Sequence, residues 1–208
     1  MNRATFFTQV RSKLFKGKLT QYQVDGMEAI LDKWEESGYT DLRWLAYMLA
    51  TTYHETAKTM QPIKEYGRGK GRPYGTWYKN SKGVIYSFTN YTKKKTYLFD
   101  NSPHLYYGRG FVQLTWWDNY YLMGKLLNID LLNNPDLALD MHVATKILFE
   151  GMTKGKSNRG DFTGVSLETY FNSTKEDWRN ARKIINGLDK ADLIASYGKT
   201  FYTILKNS

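Results

Sequence analysis

Residues 42–53 place the tightest limit on what this chain can fold into. Leu42, Leu45, Ala46, Met48, Leu49 and Tyr53 recur so closely that hardly any face of the segment is left polar. A helix apolar nearly all round has to lie inside a domain, with neighbours on every side. Asp41 stands where an N-cap belongs, since its carboxylate can accept from the backbone N–H groups of the first turn. Pro62 sets the far limit. A proline pushes the residue before it out of the α region, so the helix cannot run past about Gln61. His54 and Glu55 therefore fall in its last turns.

Other helices are expected around this one. Phe6, Phe7, Val10 and Leu14 lie at helical spacing within residues 5–15, and Gly17 stops them. Thr20 is the expected N-cap of a second helix, in which Val24, Met27, Ile30, Leu31 and Trp34 form an apolar stripe and Gly38 closes the end. Helical pattern returns over 119–127 and again from 135 to 151, through Leu137, Val143, Ile147 and Leu148, with a break at 131–135. After a Lys/Gly/Ser-rich loop at 154–164 come a short apolar stretch, 167–171, and two last helical segments. One runs through Trp178, Ala181, Ile184 and Ile185, the other over 193–205, with Gly187 between. The texture changes from Tyr66 to Tyr107, where Gly67, Gly69, Gly71, Pro73, Gly75 and Gly83 punctuate stretches rich in Tyr, Trp, Thr and Lys. That pattern predicts an irregular or β-containing lobe at about 66–107. The expected fold class is mainly α with one small insertion lobe.

The 208 residues suit one compact domain, or two lobes around one cleft, and 41% apolar with 16% aromatic residues excludes intrinsic disorder. With no cysteine there is neither a disulfide framework nor a thiolate metal site. No stretch approaches the roughly 18 apolar residues of a membrane span, so no stable membrane insertion is expected. Met1-Asn2-Arg3-Ala4-Thr5-Phe6-Phe7 lacks the apolar run of about 7–15 residues that a signal peptide needs. The expectation is synthesis in the cytoplasm, with export, if any, supplied by something else. A formal charge of +10 implies a polyanionic neighbour: nucleic acid, an anionic membrane face or an anionic cell wall.

A carboxylate at the end of a buried helix, flanked by apolar residues, is the arrangement that raises a glutamate's pKa by desolvation. Glu55 is so placed. Cleavage of a glycosidic bond needs such an acid and a second carboxylate that attacks or activates water. Glu65 is the nearest candidate, and the chain must turn at Pro62 for the two to oppose each other. The residues alone leave structural readings standing beside these. Glu55 could be a helix-end residue paired with Lys58 or Arg109, and Glu65 an ordinary loop residue beside Lys64.

Three blocks read together go further: Tyr53-His54-Glu55-Thr56; Tyr107-Gly108-Arg109-Gly110-Phe111-Val112-Gln113-Leu114-Thr115, followed by Asn119-Tyr120; and Ala181-Arg182-Lys183-Ile184-Ile185-Asn186-Gly187. In this order and spacing the chain resembles glycoside hydrolase family 19, the chitinase family with a lysozyme-like fold, and in particular its phage and prophage endolysin branch. The similarity spans roughly residues 40–205. It implies a two-lobed, lysozyme-like fold in a single catalytic domain over 1–208, with the glycine-rich lobe inserted. It also implies an inverting reaction in which Glu55 is the general acid, Glu65 the general base, and Thr115 helps to hold the attacking water. Gln113, Asn119 and Asn186 match positions that hydrogen-bond substrate, and Arg182 one that orients the second glutamate or the sugar. The chain departs from plant-type chitinases in lacking their cysteines and in the segment between Glu55 and the Gly-Arg-Gly block. Should Glu65 not be the base, Asp100 and Asp118 come next.

The implied activity is cleavage of the β-1,4 bond between N-acetylmuramic acid and N-acetylglucosamine in peptidoglycan. A chitinase acting on N-acetylglucosamine polymers and a non-catalytic wall-binding module are the alternatives. Nucleic-acid binding is not expected, since Gly-Arg-Gly occurs once and no nucleic-acid module is recognisable. As an endolysin the chain would act as a monomer on glycan strands in the periplasm, after a holin opens the inner membrane. No cofactor is expected. No metal is either, because His54, His104 and His142 are scattered and Lys58 stands where a zinc protease has its second histidine. Gly108 and Gly110 are expected to serve backbone turns, close approach of a sugar, or both. Most aromatics between 66 and 111 are expected to form local core, and the Lys93-Lys94-Lys95 run a solvated face.

Overall fold

Every residue of 44–53 in α3 (Leu42–Glu55) is buried, as expected of a helix that is apolar all round. The computed structural model describes residues 1–69, 74 and 106–208, together with the backbone of 77–79 and 85–87. Its chain divides into two compact units: Met1–Gln61 with Leu148–Ser208, and Pro62–Ile147.

In the first unit α3 packs along α7 (Ala191–Lys206), while α1 (Arg3–Lys13) lies against α7 and α2 (Gln21–Ser37) against α3. The α7 stripe of Ala191, Ile194, Ala195, Gly198, Phe201, Ile204 and Leu205 recurs at three- and four-residue steps and is buried. Gly198 permits the close approach, because a Cβ there would stand 2.8 Å from the Trp178 ring and 3.4 Å from that of Tyr47. Tyr53 closes the other end with ring contacts to Phe15, Tyr197 and Phe201. Each large apolar side chain withdrawn from water contributes about 1.5–3 kcal/mol, so α3 supplies much of what holds this unit together.

The caps follow the sequence. Asp41 accepts from Arg43 N, Thr20 forms a reciprocal capping box with Gln23, and Gly38 ends α2 with φ +71°. Gly26 answers to space rather than to a turn, since a Cβ on it would overlap the Met60 carbonyl.

The second unit holds β1 (Ile63–Lys64) paired antiparallel with β4 (Arg109–Gly110), Ile63 facing Gly110 and Lys64 facing Arg109. It also holds a hairpin of β2 (Trp77–Lys79) and β3 (Ile85–Ser87), and α4 (Trp117–Leu127). The hairpin lies within the segment read as irregular or β-containing. His104, Asp100 and the lysine run at 93–95 fall outside the described residues.

The single helix expected over 135–151 is two elements. A 3₁₀ turn, Pro135–Leu139, is followed by α5 (Met141–Met152). Asp140 is extended (φ −65°, ψ 134°) and its carboxylate accepts from Val143 N, so it caps the second element instead of continuing the first. The stretch 167–171 yields the short α6 (Leu167–Tyr170), and the segment after Trp178 is a 3₁₀ turn, Asn180–Ile184. No helix among the described residues is long and apolar enough to cross a membrane. The chain is mainly helical.

Candidate active site

Glu55 ends α3, and its partner comes from 127 residues away. Arg182 Nη1 donates to Glu55 Oε1 at 2.6 Å. The Arg182 side chain is 2% exposed and that of Glu55 14%, so the pair is largely sealed from water. A second bond, from Arg182 Nε to the Asp189 carbonyl at 2.9 Å, fixes the guanidinium plane. Neither Lys58 nor Arg109, the two partners suggested by the sequence, takes this place. Arg182 was expected to orient the second glutamate or the sugar; the carboxylate it grips is the first glutamate. A guanidinium held in the interior by a 3₁₀ turn needs a charged partner, and Glu55 at the end of α3 supplies it.

His54 precedes Glu55. Burial lowers its pKa, the neighbouring Glu55 carboxylate raises it, and Arg182 lowers it again, for a net fall. Past Glu55 the backbone turns through Ala57, Lys58 and Met60, all with positive φ. Three left-handed non-glycine residues in four positions end α3 abruptly, six residues short of the limit set by Pro62.

Glu65 is held by neutral donors. Its Oε2 accepts from Gly108 N at 3.0 Å and its Oε1 from the Tyr74 hydroxyl at 2.7 Å, while Glu65 N donates to the Gly108 carbonyl at 2.8 Å. Lys64, its sequence neighbour, points elsewhere and pairs with Asp136 at 2.6 Å. Above Gly108 sit Gln113 and Thr115. A Cβ on Gly108 would stand 2.8 Å from Gln113 Oε1 and 3.3 Å from Thr115 Oγ1. This glycine therefore serves space, whereas Gly110 serves both purposes: it has φ +82°, and a Cβ there would stand 2.7 Å from the Ala138 carbonyl.

Gln113 and Trp116 carry φ of +52° and +77° on either side of Thr115. Such strain in bulky residues persists where surrounding structure over-determines it, and it clusters at working sites. The Thr115 hydroxyl donates to the Gln113 carbonyl at 2.6 Å, which leaves its oxygen lone pairs to accept. Gln113 Nε2 is committed to the Ile63 and Gly110 carbonyls, so its amide oxygen is the atom left for a ligand. Asn119 Nδ2 donates to the Thr115 carbonyl at 2.8 Å. Asn186 is exposed.

Glu55, Arg182 and Asn186 thus belong to the first unit, and Glu65, Gln113, Thr115 and Asn119 to the second. Asp118, in the first turn of α4, is exposed.

The family model described as "Chitinase class I", that of glycoside hydrolase family 19, matches residues 35–184. The chain belongs to glycoside hydrolase family 19. The match covers the first two sequence blocks and enters the third. "Basic endochitinase B" of Arabidopsis thaliana is 57% identical over 42 residues, which are 20% of this chain and 12% of that protein. "Endochitinase 1" of Theobroma cacao is 51% identical over 45 residues, 21% of this chain and 14% of that one. The matched stretches thus span a small part of these curated relatives. A third, from Hevea brasiliensis, is 62% identical over 32 residues (15% of this chain, 10% of that one) and is named "Inactive chitinase-like protein 1", so likeness over such a stretch does not by itself carry activity.

Among solved structures, chitinase C of Streptomyces griseus superposes with a TM-score of 0.58 at 20% identity, covering 99% of this chain and 76% of its own. A bacterial family 19 chitinase superposes at 0.53 and 23% identity, with 98% and 94% coverage. They share the fold.

Sequence reasoning about this family 19 chain singled out Arg182, which holds Glu55, but not Tyr74, which holds Glu65. Tyr74 was one aromatic among many. Arg109, the centre of the Gly-Arg-Gly block, is 4% exposed and lies 3.6 Å over the Tyr107 ring. It donates to Asp136 at 2.6 Å and to the Tyr120 hydroxyl at 3.1 Å. Burial alone would raise the pKa of Asp136, yet the hydrogen bonds from Lys64 and Arg109 outweigh it and the net shift is downward. Arg109 thus braces β4 against the 3₁₀ turn Pro135–Leu139.

Proposed function

We propose that this chain hydrolyses the β-1,4 bond between N-acetylmuramic acid and N-acetylglucosamine in peptidoglycan, as a lysis enzyme acting on the bacterial wall. In this reading Glu55 protonates the leaving oxygen, Glu65 takes a proton from the attacking water, and the Thr115 hydroxyl helps to place that water. An inverting reaction uses two carboxyl groups about 6.5–9.5 Å apart, which leaves room for water on the far face of the sugar.

The observation that carries the proposal is the contrast in how the two carboxylates are held. Glu55 sits on a guanidinium in a largely buried setting, whereas Glu65 sits on a backbone N–H and a phenol, beside a hydroxyl flanked by strained residues. An acid and a base act on opposite faces of the sugar and are held by separate partners, as these two carboxyl groups are. The charge of +10 favours an anionic wall polymer over neutral chitin. Access by way of a holin, and action as a monomer with no nucleic-acid partner, belong to the same proposal.

Chitin is the second reading, because the curated relatives bear chitinase names. Mass spectrometry of the reducing ends released from purified peptidoglycan, run beside a chitooligosaccharide digest, separates the two. Muramic acid ends are expected. N-acetylglucosamine ends from peptidoglycan would overturn the bond assignment, and cleavage of chitooligosaccharide alone would overturn the substrate.

A further inference from the structure

Away from these residues, two carboxylates meet where α5 gives way to the Lys/Gly/Ser-rich loop. Gly151 lies under Phe162, whose ring a Cβ would strike, so no side chain separates the end of α5 from the segment that carries Asp161. Glu150 and Asp161 each stand one residue before that contact, near enough for one carboxylate to act on the other. Asp161 is 7% exposed, and neither of its carboxylate oxygens finds a donor. Glu150 is half-buried, and its Oε1 accepts the backbone N–H of Lys156. The loop folds tightly over that oxygen, since a Cβ on Gly155 would stand 2.5 Å from it. Burial, with Asp161 alongside, pushes the Glu150 carboxyl above its usual range, and the N–H and charge of Lys156 oppose the rise without cancelling it.

The buried Asp161 carboxylate, bare at both oxygens and with half-buried Glu150 beside it, needs a positive partner. A single shared proton would serve one Asp161 oxygen and leave the other bare. A cation of calcium's size engages both oxygens of one carboxylate and takes a second carboxylate from the side. It also tolerates an irregular shell completed by carbonyl and water oxygens. Magnesium, which demands near-octahedral geometry and keeps its waters, fits such a pair less well.

We propose that Glu150 and Asp161 bind a divalent cation of calcium's size, which fastens the 154–164 loop to the end of α5. The site has two side-chain ligands, and among the described residues no group of three or more His, Cys, Asp or Glu side chains assembles. Loop oxygens and water must therefore supply the rest. The scattered histidines argue against a histidine site; this one uses oxygen alone.

Isothermal titration of the whole chain with calcium chloride, after treatment with chelator, tests the proposal. One calcium per chain is expected, with weaker or no binding of magnesium. Melting should rise by roughly 5–10 °C at a hundredfold excess of calcium over its dissociation constant. Asp161→Asn and Glu150→Gln should melt no lower than wild type in chelator and show no calcium response. No calcium binding by wild type at millimolar concentration, or an unchanged response in both variants, would overturn the site. The first result would leave a proton shared between the two carboxyl groups.

Discussion

Glu55 and Glu65 are ten residues apart and are held in opposite ways. Glu55 is gripped by charge: its place depends on a guanidinium 127 residues away and on the packing that buries both. Glu65 is held by dipoles, a peptide N–H and a phenol, within a short antiparallel pairing that includes its own backbone. An arginine keeps its charge at any working pH and favours a fixed bidentate geometry, whereas a phenol and an N–H orient a carboxylate without adding charge. One carboxylate therefore answers to a buried charge pair and the other to the pairing of β1 with β4.

The largest effect expected is on catalysis. Glu55→Gln and Glu65→Gln should each lower wall-clearing activity by about 10²–10⁴-fold, the usual range for removing a general acid or base. Glu55→Gln should keep the fold, because the amide oxygen still accepts from Arg182, and it should still sediment with purified walls. Near-wild-type clearing by Glu55→Gln would sink the acid assignment. Full activity in Glu65→Gln would move the base elsewhere, to Asp118 or Asp100.

Stability separates the two holders next. Arg182→Ala strands a carboxylate that is 14% exposed, and breaking a buried pair from one side costs about 3–5 kcal/mol. Tyr74→Phe removes the hydrogen bond to Glu65, a loss of about 1.5 kcal/mol or less. Urea denaturation of the two variants gives the ratio directly, and equal losses would break the comparison between charge and dipole. Gly108→Ala comes between them. Its methyl group would crowd Gln113 and Thr115, for a cost of about 1–3 kcal/mol, with activity falling alongside because both side chains must shift. An active, fully stable Gly108→Ala would show that the space over this glycine is not needed.

How much of this was legible beforehand depends on the range of the interaction. The caps at Thr20, Asp41 and Gly38 and the burial of α3 follow from spacing of a few residues, and each was read from the sequence. Asp140 was not, because an aspartate inside an apolar pattern looks like a surface residue until its carboxylate is seen capping α5. Glu55 stood out by its place at a helix end. Its pairing with Arg182 was not read, since nothing local tells which carboxylate a distant guanidinium will reach. Tyr74 carried no signal among so many tyrosines. Gly108 carried half of one: the glycine was noticed, but whether it served a turn or a neighbour's volume takes coordinates to decide.

His54 offers the smallest and most specific test of the charged side of the comparison. Burial lowers its pKa in the folded chain, with Glu55 and Arg182 pulling in opposite directions. In the unfolded chain a histidine titrates near about 6.5, so below that pH the unfolded state takes up the proton more readily than the folded one. Stability then rises with pH through this window: the contribution of neutral His54 is present above about pH 6.5 and is lost as the pH falls further. His54→Gln cannot titrate. The gap in urea midpoint between wild type and this variant should be constant from about pH 7 to 8 and should move against wild type from about pH 6.5 towards 5. Adding Glu55→Gln removes the one neighbour on α3 that raises the pKa of His54, so the wild-type histidine should become still harder to protonate and the acid-side loss steeper. A gap that stays flat across the whole range would mean that His54 is solvated and that the neighbourhood of Glu55 is wetter than its 14% exposure indicates.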